Sequence, residues 1–122
     1  MTAPSPPRID WRARGHAGWW AFAVHRLSGL ALAAFLPLHF WVLGQALAGA
    51  VALDASLAWT ESPLVKASEV GLVLLLALHL AGGLRLLLVE FRGWRAAWQP
   101  ALIAGAGGLA LACALLFALN LG

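Results

Sequence analysis

Three apolar blocks divide the chain, from about Trp20 to Val51, from about Leu64 to Val89 and from about Ala97 to Leu121, and the residues between them are rich in charge, Pro and Gly. A helix rises 1.5 Å per residue, so about 20 mainly apolar residues cross the roughly 30 Å of bilayer hydrocarbon. Each block reaches that length. None shows the strict alternation of a barrel strand, and each far exceeds the roughly 10 residues such a strand uses. A spanning segment must also satisfy its own backbone polar groups, which a helix does internally. The pattern therefore predicts an all-α transmembrane fold, a three-helix bundle over residues 19–122. It is preceded by a polar, Pro-rich segment over residues 1–18, MTAPSPPRIDWRARGHAG.

Composition agrees with the pattern and excludes a soluble domain. Of 122 residues, 62% are hydrophobic and only 11% charged, against roughly 45–50% and 25% in soluble proteins. The mean hydropathy is +0.85. Seven of the eight Lys and Arg residues (Arg8, Arg12, Arg14, Arg26, Arg85, Arg92 and Arg95) fall before or at the start of span one or around the connection between spans two and three. Lys66 stands at the other end with Asp54, Glu61 and Glu69. The positive-inside rule then predicts a cytoplasmic N-terminus and an outer C-terminus, in a multi-pass protein of the cell inner (cytoplasmic) membrane. Trp19, Trp20, Trp94 and Trp98 cluster at the cytoplasmic edge and Trp59 at the opposite one, as an aromatic belt does. The formal charge of +3 thus reflects topology and not a nucleic-acid surface. The polar N-terminal segment is expected along the cytoplasmic face, where a soluble partner could cover it. The apolar run behind it is too long for the 7–15-residue core of a secretory signal. The lone Cys113 excludes an internal disulfide, a Cys-ligated cluster or a covalent CxxCH haem attachment within this sequence.

Two histidines lie inside the apolar blocks: His39 in LPLHFWVLG and His79 in LLLALHLAGGLRLLL. An intramembrane ionisable residue is a functional-site hypothesis by default, and haem iron is the expected partner. The bland alternative is a hydrogen bond to a neighbouring helix. His25 and His39 are fourteen residues apart, within about 40° of one helix face and about 21 Å along the axis. Pro37, two residues before His39, removes a backbone hydrogen bond and is expected to kink the helix. Gly82 and Gly83 sit on the turn next to His79, where small residues let a flat macrocycle or a second helix approach. Arg85, about 9 Å further along, could reach a propionate. One His cannot supply both axial ligands of an iron, so a second chain, or His39 across the bundle, must give the other. His16, in a polar loop, is expected to be solvated.

Taken together, VHRLSGLALA, with His25, Arg26, Ser28 and Gly29, and HLAGGLRLLLVEF, with His79, Gly83, Arg85 and Glu90, resemble the two signatures of the cytochrome b subunit of succinate dehydrogenase (respiratory complex II), approximately HRxSG and HxxxGxRxxxxD. The resemblance runs from about Gly18 to Phe91. It implies a membrane anchor that pairs with a second, similar membrane subunit and docks an iron–sulfur subunit and an FAD-containing flavoprotein subunit on its cytoplasmic side. Electrons from succinate would pass to quinone in the membrane, as part of the tricarboxylic acid cycle. It implies further that His79 is an axial ligand of haem b, with the other from the partner subunit, and that Arg26 lies near a propionate and the quinone pocket, with Ser28 in the same signature. Haem-binding residues on this reading are His79, His39, His25, Arg26 and Arg85; quinone-binding residues are Arg26 and Ser28; the metal ligands are His79 and His39. Phe22 stands where many single-haem members have a quinone-contacting Ser, Leu86 where a His often follows the motif Arg, and Glu90 where the pattern has Asp. His39 is similar to the first-helix histidine of the two-haem branch, which implies a proximal haem at His79 and a distal one at His39. Glu69, Glu61 or Lys66 would then be candidates to protonate an outer quinone. Two rivals are a haem b subunit of another respiratory dehydrogenase and a small haem-free transporter or anchor. The transporter would need a carboxylate deep in a span for proton coupling. Nothing resembles a flavin or dicarboxylate site, so succinate itself is not oxidised by this chain.

Overall fold

The computed structural model describes residues 16–121. Helix α1 spans Ala17–Gln45, α2 Ala50–Leu57, α3 Pro63–Arg92 and α4 Gln99–Leu119, with short 3-10 turns at Ala46–Ala48, Ala58–Glu61 and Ala96–Trp98. Three helical stretches are long and apolar enough to cross a membrane: Ala17–Ala48, Pro63–Arg92 and Ala96–Leu119. The all-α, three-span expectation therefore holds. Residues 1–15, most of the expected N-terminal segment with its three arginines, lie outside the described residues.

The boundaries differ where local chemistry overrides hydropathy. The first span does not run on to Val51: the chain breaks at Gly49, whose φ of 107° is open to glycine but strained for other residues. Val51 belongs instead to α2, a short helix in the connection that the sequence pattern did not separate from span one. At the other end α1 begins before Trp19, because the imidazole Nδ1 of His16 accepts the Gly18 amide at 3.1 Å and caps the helix. His16 is exposed but does more than meet solvent. Helix α1 continues through Pro37 without interruption. Helix α3 starts at Pro63, behind a Ser62 hydroxyl that accepts the Val65 amide, and stops at Gly93 with φ 78°.

Helix α3 is the centre of the bundle, packed on α1 along one side and α4 along the other. What is buried is small or polar: Ala81, Ala110 and Ala114, with Ser28, Arg85 and Gln99. The large apolar side chains face outward, among them Leu27 at 66% and Phe40 at 63% exposure. This inverts the soluble pattern, as expected where lipid is as apolar as leucine and helices associate through small residues and hydrogen bonds.

Candidate functional site

The antiparallel crossing of α1 and α3 brings His25 and His79 together. Each imidazole lies over a glycine of the opposite helix, His79 over Gly29 and His25 over Gly82. The approach is so close that a Cβ at Gly29 would stand 2.8 Å from His79 Cε1, and one at Gly82 2.9 Å from His25 Nδ1. The two rings stack with centroids 4.3 Å apart and planes within 6°. Gly82, taken from sequence as clearance for a macrocycle or a second helix, here makes room for the second helix's imidazole.

Hydrogen bonds settle how the His79 ring is held. Its Nδ1 is 3.1 Å from the His25 carbonyl oxygen and 3.3 Å from Ser28 Oγ. A carbonyl only accepts, so Nδ1 carries a proton, and in the neutral ring Nε2 then keeps its lone pair. The Ser28 hydroxyl itself donates to the His25 carbonyl at 2.9 Å, which turns an oxygen lone pair toward the ring. Ser28 is 1% exposed. Nε2 makes no hydrogen bond among the described residues, and the ring lines an open groove of about 510 Å³ with His25, Gly83, Leu84, Leu87 and Glu90. His25 Nδ1 is buried with no partner among the described residues.

Such a ring suits an iron ligand: one imidazole nitrogen is fixed by a backbone carbonyl, the other has no hydrogen-bond partner among the described residues, and the ring lines an apolar groove. The His25 ring is in van der Waals contact with that of His79, so these two imidazoles could not hold one group between them. His39 is not brought near either. It sits exposed toward the other end of α1, tilted against Phe35 and Phe40 at 5.5 and 5.8 Å. There it lines a separate cavity of about 480 Å³ with Phe35, Trp59, Ser68 and Glu69. Lys66 and Glu61 pair with each other at 3.1 Å, so Glu69 is the acid that shares the His39 cavity. Among the described residues no three of His, Cys, Asp and Glu gather as a bare metal site.

The arginines part company. Arg85 is 9% exposed and does not line the His79 groove. Its Nε and Nη2 both donate to Gln99 Oε1, at 3.0 and 2.7 Å, and its guanidinium lies 6.0 Å from the Trp94 ring. Gln99 Nε2 in turn donates to the Arg95 carbonyl. Arg85 thus ties α3 to the start of α4. Gln99 was missed in the sequence; the signal that could have found it is an amide beside Pro100 at the start of an apolar helix. Arg26 is exposed and makes no polar contact among the described residues.

A family model described as the succinate dehydrogenase/fumarate reductase transmembrane subunit matches residues 5–118. The chain belongs to that family. As a succinate dehydrogenase/fumarate reductase transmembrane subunit it resembles the succinate dehydrogenase hydrophobic membrane anchor subunit of Halobacterium salinarum, 37% identical over 75 residues, 61% of this chain and 58% of that one. It also resembles the succinate dehydrogenase 2 membrane subunit SdhC of Mycobacterium tuberculosis, 33% identical over 86 residues, 70% of this chain and 62% of that one. The chain thus spans about three fifths of each relative's length. No solved structure matches it. Membership of this family sets aside the transporter and the unrelated cytochrome. As a membrane subunit, the chain is one part of an enzyme complex.

Proposed function

We propose that this chain is the haem b-binding membrane anchor of a succinate:quinone oxidoreductase, passing electrons from the iron–sulfur subunit to membrane quinone. The observation that carries the reading is the His79 imidazole, with Nδ1–H tied down, Nε2 without a hydrogen-bond partner among the described residues, and the ring lining an apolar groove. His79 would hold the iron on one side, and a histidine of the second membrane subunit would hold it on the other. Haem b held there would supply a one-electron carrier, its potential set by its protein ligands and their burial. His25, Gly83 and Glu90 line the same groove. Arg26, exposed one residue after His25, is available to a propionate or a quinone headgroup. Arg85, expected at a propionate, donates to Gln99 and joins α3 to α4 behind the site.

A second, distal haem at His39 completes the proposal. Its support is the exposed ring beside the 480 Å³ cavity. His39 has no orienting hydrogen bond among the described residues, so its ring orientation must come from the partner subunit or from the group itself. Glu69, in the same cavity, is the candidate proton donor to an outer quinone. The N-terminal end of α1 and the α3–α4 connection face the cytoplasm of the cell inner membrane, where the iron–sulfur and flavoprotein subunits dock.

The test is haem stoichiometry. In the detergent-purified complex, His79→Ala loses haem while flavin remains. Haem content unchanged in His79→Ala contradicts the assignment.

A further inference from the structure

Ser28 falls in the signature associated with quinone, yet quinone could touch its hydroxyl only by displacing the His79 ring. The side chain is 1% exposed, and its Oγ is already engaged on both sides, donating to the His25 carbonyl at 2.9 Å and lying 3.3 Å from His79 Nδ1. We propose that Ser28 is a positioning residue for the iron ligand, and not a quinone contact. With the His25 carbonyl it holds the Nδ1–H of His79, fixes the tautomer that leaves Nε2 bare, and turns that nitrogen toward the groove. The inference rests on the haem-ligand reading of His79.

Three features of the chain converge on this role. A serine inside a helix returns its O–H to a carbonyl one turn back. Here that carbonyl is the one that also accepts from His79, so the three groups form a closed set in which every direction is specified. Gly29, the next residue, supplies the flat surface against which the ring lies, since any Cβ there would strike Cε1 at 2.8 Å. Serine thus fixes the ring's rotation and glycine its depth, from adjacent positions of α1. A hydrogen bond from the remote N–H of a ligating imidazole also makes the ligating nitrogen more basic, which favours the oxidised metal.

Ser28→Ala deletes the hydroxyl and keeps the packing. In the purified complex, with flavin content measured to confirm assembly, this variant should retain haem about 10-fold more weakly, the usual lower range for loss of an outer-shell partner. Its haem midpoint potential should move to more positive values and the g-values of its ferric EPR spectrum should change, while KM for quinone stays at the wild-type value. Ser28→Thr, which keeps the hydroxyl, should stay close to wild type in all of these. A raised quinone KM with unchanged potential and spectrum in Ser28→Ala overturns the inference and restores the quinone role. Should Ser28→Ala not assemble, pulsed EPR of the wild-type complex decides: the remote nitrogen of the ligating imidazole should carry a proton that exchanges slowly with D2O, and an absent or freely exchanging proton overturns the inference. Wild-type complex with flavin but without haem is a different failure, that of the ligand reading itself.

Discussion

Two glycines set how closely α1 and α3 approach, because the imidazoles of His25 and His79 occupy the volume their side chains would take. An alanine at Gly29 or Gly82 puts a Cβ within 2.9 Å of a ring atom, and such overpacking costs about 1–3 kcal/mol. That outweighs the roughly 1 kcal/mol by which alanine is the better helix former. Gly29→Ala is therefore expected to displace His79 and lower haem retention, and Gly82→Ala to displace His25 and loosen the crossing. Gly71→Ala and Gly105→Ala, where a Cβ meets nothing within 4 Å, should leave the thermal midpoint unchanged or slightly raised. Thermal unfolding and haem-to-flavin ratios of the four variants check this. At this scale His79, His25 and Gly83 were legible from sequence because each breaks an apolar run in a recognisable order. The inward direction of Ser28 was not, because its partner is 51 residues away and depends on the crossing register of two helices, which the periodicity of either one does not contain.

Helix α4 is joined to α3 by a buried cation and a neutral amide. Hydrogen bonds to charged groups are worth about 1.5–3 kcal/mol, and leaving a buried charge unpartnered costs more than replacing both groups by apolar ones. Gln99→Leu should lower stability by about 2 kcal/mol, read as a fall in the thermal midpoint of the complex. The double variant Arg85→Met with Gln99→Leu should recover most of that loss, and a double variant no better than Gln99→Leu alone would contradict the coupling. The three long helices were legible in the hydropathy pattern, and Pro63 and Gly93 mark where α3 begins and ends. Helix α2 was hidden because Ala50, Val51, Ala52 and Leu53 continue the apolar composition of span one; the 3-10 turn at Ala46–Ala48 and the positive φ of Gly49 separate them. The Arg85–Gln99 tie escaped for a similar reason. Reach along one helix pointed Arg85 toward a propionate, while the competing acceptor lies on the next helix.

The described residues turn their large apolar side chains outward and bury only three polar ones, Ser28, Arg85 and Gln99, so lipid or a second membrane subunit must cover most of the surface. The N-terminal end of α1, the end of α3 and the start of α4 come together, which gathers Arg92, Arg95, Trp19, Trp20, Trp94 and Trp98 at one end and Glu61, Lys66 and Trp59 at the other. On the positive-inside rule we propose that the first end faces the cytoplasm. With Cys113 replaced by Ser, a cysteine at Glu61 should react with an impermeant maleimide from outside intact cells, and one at Arg95 only after the membrane is opened. The reverse pattern would invert the topology. Whether electrons pass through iron held by this chain's own intramembrane histidines is decided by haem per flavin in the purified wild-type, His79→Ala and His39→Ala complexes. Two haems per flavin are expected in the wild type and one fewer in each variant; a full complement in His79→Ala would refute the ligand role.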